Sequence, residues 1–355
     1  MNEQWTKEHF TMLTENYRKQ NKRIEKIVEL NKHIKKFNWA YIHPYLLGAE
    51  INFFEETLKT KELTEKYVYE MFAAKFFNLH GTAYFIDAYC KTRPQIKPFC
   101  QLIDQSVIMC IQRDYAGAIN TLLPVIEGSI RHYLVNKKGK QNAKIMKTDD
   151  LISAFDYIKE DFLSFQERAW DGDFDTYSTI SFDTNQKKEL LKLNRKYIDM
   201  WLSIIKDYFK NNLYLDTRNG EVSDKLNRHA ILHGFNSDIY YDLKNYLRVF
   251  NCLHFLCWVF AHAEKDIHVL PILDEKETYY KWQAFEKIKV LSDISVKLKS
   301  QIYEKYSDFD KTQFEEGLIQ PNGFDKFLSK ISSNGLEKKF KAIDDYVERT
   351  RKARQ

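Results

Sequence analysis

The eight residues Asn227-Arg228-His229-Ala230-Ile231-Leu232-His233-Gly234 bring together the side chains of this chain best suited to moving protons and holding negative charge. Arginine supplies a permanent planar cation that can brace a phosphate through two parallel hydrogen bonds, and histidine exchanges its proton most readily near neutral pH. Together they suit phosphodiester cleavage. Arg228 and His233 are five positions apart, about 140° around an ideal helix, so they converge only where that helix ends. Gly234 can cap such an end, and a histidine in a last turn is favoured by the helix dipole. The same residues also describe a capped helix terminus with two polar side chains facing water.

The elements that must position these residues read as helices. The 355-residue chain contains only 11 glycines and 6 prolines, and long stretches carry neither, which favours long helices over a turn-dense β pattern. Its length suggests two or three helical units, and the 44% of hydrophobic residues can supply a core. We read an all-α chain with a region over 1–94, a helical bundle over 95–270 interrupted by an insertion at about 137–183, and a C-terminal helical region over 271–355.

Arg18 to Lys36 sets eight lysines and arginines against two glutamates, with Ile24, Ile27, Val28 and Ile34 on one stripe, the pattern of a basic amphipathic helix. It reads first as a solvated outer face and second as a contact for a nucleic-acid backbone. Leu58 to Tyr89 reads as one or two helices, and Arg93-Pro94 with Lys97-Pro98 mark a boundary. Cys100 to Arg113 and Tyr115 to Leu134 follow as an antiparallel hairpin. Pro124 is expected to kink the second helix and to orphan one backbone acceptor. Glu127 and Arg131 on that helix sit four apart, a spacing that makes an ordinary intrahelical ion pair. The alternative is that they hold Arg228 from a neighbouring helix.

A basic loop over Lys137 to Lys147, a helix around Leu151 to Phe165 and an acidic turn over Trp170 to Asp183 make up the insertion. A long helix resumes from Gln186 to about Leu213 and stops at Asn219-Gly220. Beyond the Arg228 motif, Asp238 to Lys265 forms a helix with a thick apolar face. A charged helix then runs from Lys276 to about Tyr306, followed by a Pro321-Asn322-Gly323 turn and a basic end.

Several classes drop out. No Gly-rich phosphate loop, Gly-x-Ser-x-Gly elbow or His-Glu-x-x-His pair is present. The five cysteines, Cys90, Cys100, Cys110, Cys252 and Cys257, lack the spacing of zinc ligands and read as reduced, half-buried core residues. No metal or cofactor is expected. The polar N-terminus lacks a secretory pattern, and the most apolar window, Val249 to Ala263, is too short and polar to cross a bilayer, so a soluble cytoplasmic protein without membrane contact is expected. The net charge of +5, from 55 basic and 50 acidic residues, does not by itself select a partner.

A helical hairpin, a long helix and then Arg-polar-x-x-x-His ahead of another helix resembles the HEPN superfamily (higher eukaryotes and prokaryotes nucleotide-binding). These are four-helix units, many of them metal-independent ribonucleases. Arg228, His229 and His233 fill the signature positions in order. The string Asn227 to Gly234 resembles versions found in phage-defence HEPN proteins of bacteria, and Leu122 to Arg131 is similar to the helix that precedes the signature. The resemblance spans roughly Pro98 to Lys265. The insertion is longer than the minimal unit requires, and the segments before Pro94 and after Pro271 have no counterpart.

The resemblance implies attack of an RNA 2'-hydroxyl on the adjacent phosphorus, giving 2',3'-cyclic phosphate and 5'-hydroxyl ends. His233 would act as general acid or base, Arg228 would steady the phosphate, and His229 would orient one of them or bind substrate. Asn227 and Glu127 would support the site. Because one motif offers a single good proton-transfer histidine, the implied assembly is a homodimer with a composite cleft. A toxin or antiphage effector of this kind needs a trigger, a regulatory partner or an antitoxin. Two readings stand beside it: a non-catalytic HEPN module that binds nucleic acid or a partner protein, and an all-helical scaffold in which Arg228 and His233 are surface residues. Basic residues from Arg18 to Lys36 or Lys137 to Lys147 close to the motif would favour the nuclease.

Overall fold

The computed structural model describes residues 3–41, 63–138, 148–170, 182–214, 228, 231, 241–263, 275–305 and 333–352. Helices form α1 (Glu3–Ile34), α2 (Glu65–Phe77), α3 (Leu79–Phe85), α4 (Cys100–Ile111), α5 (Tyr115–Lys138), α6 (Thr148–Trp170), α7 (Thr184–Tyr208), α8 (Leu243–Ala263), α9 (Glu275–Lys305) and α10 (Ser333–Lys352). The protein is all-α, and no strand occurs among the described residues. No helix of the described residues is long and apolar enough to cross a membrane.

Helix α8 is the centre of the packing. Every residue from Asn245 to Ala261 except His254 is buried. The sequence reading gave this helix one thick apolar face. It is instead covered on nearly all sides, its polar residues Asn245, Arg248 and Asn251 included. Phe76 of α2 meets Phe250 edge-on at 5.1 Å, and Phe155 of α6 lies 6.5 Å from Phe255. Trp201 of α7 lies 4.9 Å from Trp258, and the Tyr246 hydroxyl lies 3.4 Å from Ser106 Oγ of α4, whose own proton goes to the Ala118 carbonyl at 2.8 Å. One core residue is a cation: Arg248 is 2% exposed and donates to the Phe37 carbonyl at 2.7 Å and to Asn245 Oδ1 at 2.8 Å. Those bonds tie the end of the α1 segment to α8 and offset part of the cost of burying the charge.

Helices α4 and α5 make the expected antiparallel hairpin. Asp114 caps its turn by accepting from the Gly117 amide at 2.9 Å. At the open end Gly128 permits a close approach, since a Cβ there would stand 2.7 Å from the Phe99 ring. α5 runs unbroken through Pro124. Pro124 lies on an exposed face, where water can satisfy the carbonyl its ring orphans.

Helices α1 and α7 lie side by side and parallel. Arg18 pairs with Glu189, Glu25 with Lys196 and Lys35 with Asp207, and Asn21 donates to the Leu193 carbonyl, all at a nearly constant sequence offset. The buried stripe of α1 holds Ile24, Ile27, Leu30 and Ile34. Its basic face is therefore partly engaged by the carboxylates of α7, in exposed pairs that are each worth little. α6, within the segment read as an insertion, turns Leu151, Phe155, Ile158 and Phe162 into the same core. That principal core reaches from Ile24 to Val347 and so runs through all three regions expected from the sequence.

α9 docks on α3 and α4 through charge. Lys281 reaches Asp87 Oδ1 at 2.7 Å and Asp104 Oδ1 at 2.8 Å, and Thr278 donates to Asp87 Oδ2 at 3.0 Å. Burial alone pushes the Asp87 carboxyl upward, but hydrogen bonds from Lys281 and Lys91 outweigh it and hold the group below its ordinary range. All five cysteines are free and buried rather than half-buried. Burial drives Cys90, Cys110 and Cys252 well above the ordinary thiol range and Cys100 to about 11. These thiols are inert packing groups.

Candidate functional site

Arg228 is positioned by α5, the second helix of the hairpin. Glu127, halfway along α5, places its carboxylate between two guanidinium groups: Oε2 lies 2.9 Å from Arg228 Nε, and Oε1 accepts from Arg131 Nε and Nη2 at 2.9 and 2.7 Å. Both sequence readings of Glu127 therefore hold at once, one through each oxygen. The Glu127 side chain is 13% exposed and that of Arg228 25%, so the pair is partly shielded from water. A hydrogen-bonded contact of that kind is stronger than a surface salt bridge.

A second, indirect link to α5 runs from Ile231 through Tyr241. Ile231, three residues after Arg228, is 2% exposed and belongs to the core. Its carbonyl accepts from the Tyr241 hydroxyl at 3.5 Å, and that hydroxyl in turn accepts from Asn120 Nδ2 at 3.2 Å. Asn120 and Glu127 are seven residues apart, so they share one face of α5. Arg228 and Ile231 both have helical backbone. Arg228 thus lies level with Glu127, and Ile231 is linked toward Asn120 through the Tyr241 hydroxyl.

Tyr214 lies near enough to feel the charges of this pair. It follows α7 after one π-helical turn, Phe209–Leu213, and is buried. Burial first, and then the nearby Glu127 carboxylate, raise its hydroxyl above the ordinary phenol range, while the Arg228 and Arg131 cations act in the opposite direction. It remains neutral at any physiological pH and can only donate or accept a hydrogen bond.

Asn227, His229 and His233 lie outside the described residues, as does the basic loop over 139–147. Of the residues singled out from the sequence, the structure thus brings together Arg228 and Glu127, with Arg131 beside them. Tyr214, Tyr241 and Asn120 were not anticipated. Asn120 had a signal, its seven-residue spacing from Glu127, whereas the two tyrosines come from segments with no pattern that points to α5.

The arrangement supplies a cation fixed in direction. The contact with Glu127 runs through Nε of Arg228, and a guanidinium can in addition fork onto two phosphate oxygens through its terminal nitrogens. Among the described residues no group of three or more His, Cys, Asp or Glu side chains is placed to hold a metal ion. Compared with protein-family models, curated proteins and solved structures, the chain finds no match.

Proposed function

We propose that this protein is a metal-independent endoribonuclease of the HEPN type, built on a HEPN-like helical bundle. One observation carries the reading: Arg228, the first residue of the Arg-polar-x-x-x-His string, is held against the hairpin helix by Glu127 at 2.9 Å while Ile231 anchors the same segment in the core. A motif of surface residues with no task has no need of a buried anchor and a shared carboxylate.

In the proposed reaction the RNA 2'-oxygen attacks the adjacent phosphorus. A base removes the 2'-hydroxyl proton, the P–O5' bond breaks, and an acid protonates the departing 5'-oxygen. The products carry 2',3'-cyclic phosphate and 5'-hydroxyl ends. His233 serves as base or acid, and Arg228 balances the charge that accumulates on the phosphorane. Two proton-transfer groups are needed, so the site is completed by His233 of a second copy of the chain across a twofold axis. Asn227 and His229 orient substrate or the catalytic groups. Such an activity is restrained in its host by a trigger, a regulatory partner or an antitoxin, which fits a toxin or antiphage effector.

The position of Glu127 favours a second reading. A carboxylate between two guanidiniums already compensates part of their charge, which suits a non-catalytic HEPN module in which Arg228 locks the segment and the surface binds nucleic acid or a partner protein. End-group analysis separates the two. Nuclease action gives fragments that T4 polynucleotide kinase can label at the 5' end without prior phosphatase, and light scattering gives a dimer at micromolar concentration. Intact RNA together with a monomer contradicts the nuclease reading.

A further inference from the structure

We infer that Arg131 is a second phosphate-binding residue of the same site, taking the phosphate next to the scissile one on a single RNA strand while Arg228 takes the scissile phosphate. The inference rests on the RNA reading given above and adds to it a residue outside the Arg-polar-x-x-x-His string.

The order of exposure within the Arg131, Glu127 and Arg228 cluster carries it. The Arg131 side chain is 34% exposed and that of Arg228 25%, whereas the carboxylate between them belongs to a side chain only 13% exposed. One negative charge is shared by two positive ones, so the cluster is cationic as a whole, and both cations are more open to solvent than the anion. A strand that approaches from solvent therefore meets positive charge first.

Arg131 meets Glu127 along one edge of its guanidinium, through Nε at 2.9 Å and Nη2 at 2.7 Å, both to Oε1. A guanidinium carries five N–H donors in a rigid planar fork, so an anion held along one edge does not prevent a second from being met along another. The two bonds to Oε1 also set the plane of the Arg131 group. A cation held in this way loses less side-chain freedom on taking a phosphate than a mobile surface lysine does. Glu127 in turn decides how the phosphates are shared. Its carboxylate occupies the space between the two guanidiniums and repels an anion brought between them. Each arginine is left to a phosphate of its own, and on one strand those are successive phosphates.

The test measures binding of a short 2'-O-methyl RNA, which lacks the attacking hydroxyl and so stays intact, to the full-length protein by fluorescence anisotropy over about 50–200 mM KCl. Each phosphate contact on a single strand contributes about 0.7 to the slope of log Kd against log salt. Arg131→Gln is expected to lower that slope by about 0.7 and to weaken binding by about fivefold or more. Arg131→Lys keeps the charge without the fork and should keep the slope. Loss of Arg131 also releases Glu127, which holds Arg228, so the comparison is repeated in the Arg228→Gln protein. There Arg131→Gln should remove a further 0.7 or so. If Arg131→Gln leaves the slope unchanged while the wild type binds, the inference alone falls. A slope that falls only where Arg228 is present makes Arg131 a brace for Glu127 and overturns the inference as well. Wild-type protein that does not bind the RNA overturns both the inference and the RNA reading beneath it.

Discussion

The two oxygens of the Glu127 carboxylate serve different helical segments: Oε1 receives Arg131 from the same helix, and Oε2 lies 2.9 Å from Nε of Arg228. The intrahelical pair holds the carboxylate in place, so Arg228 meets a fixed acceptor and loses less side-chain freedom than a pair of two mobile chains would. Glu127 is accordingly a positioning residue for Arg228.

That relationship predicts energetic coupling. Glu127→Gln and Arg228→Gln should each destabilise the protein by about 1–3 kcal/mol, in keeping with a charged hydrogen bond that is partly shielded. The double variant should cost less than the sum, with a coupling of about 1 kcal/mol or more. Urea denaturation of the four proteins checks this, and additivity to within about 0.3 kcal/mol means the pair contributes nothing to stability.

Ile231 is the apolar anchor of the motif segment. Ile231→Ala should cost about 2–5 kcal/mol, because a buried side chain leaves a cavity behind. Tyr241→Phe removes a long hydrogen bond to a carbonyl and an exposed one from Asn120 and should cost about 1 kcal/mol. Thermal melts of the two variants should therefore rank in that order.

Lys281 pins α9 to the core. Lys281→Met strips Asp87, whose side chain is 4% exposed, of one of its two lysine partners, and should destabilise by about 3–5 kcal/mol. Adding Asp87→Asn should recover a substantial part of the loss, since the uncompensated buried charge is then gone. A double variant no more stable than Lys281→Met alone would show that packing rather than charge docks the helix.

Helix class and most boundaries were legible from local pattern. Cys100 to Arg113, Tyr115 onward and Lys276 to Tyr306 all fall within a few residues of α4, α5 and α9. The full burial of α8 was not, because the sequence displays its apolar faces without saying how many neighbours will cover them. The parallel pairing of α1 with α7 depends on contacts about 170 residues apart, such as Arg18 with Glu189, and no local periodicity encodes them. At the site, the four-residue spacing of Glu127 and Arg131 gave one half of the contact. The other half required the tertiary placement of residue 228, which the burial of Ile231 supplies.

A pH dependence follows from His262. Its ring lies 4.3 Å from Trp258 and 5.4 Å from Phe162, and Nδ1–H donates to the Trp258 carbonyl at 2.9 Å. The rings crowd the imidazole although part of the residue's area remains open to solvent. Burial lowers its pKa from the ordinary value of 6.5 to about 4, while the hydrogen bond to Trp258 acts the other way. Between those values the unfolded chain binds a proton that the folded chain does not, so stability falls as pH drops from about 6.5 toward 4. The slope from this group is at most about 1.4 kcal/mol per pH unit, and less to the extent that solvent reaches the ring. His262→Gln should flatten the stability profile in that window, and an unchanged profile would assign the acid sensitivity to other groups.

The central claim is that Arg228 and His233 cut RNA without a metal ion, and the direct measurement is cleavage of total RNA in EDTA by the wild type, Arg228→Ala and His233→Ala. The expected result is cleavage by the wild type with rates lower by about 100-fold or more in both variants, the usual scale for loss of an acid–base group or an oxyanion-stabilising donor. Wild-type protein that leaves RNA intact, or variants that cut as fast as the wild type, would contradict it.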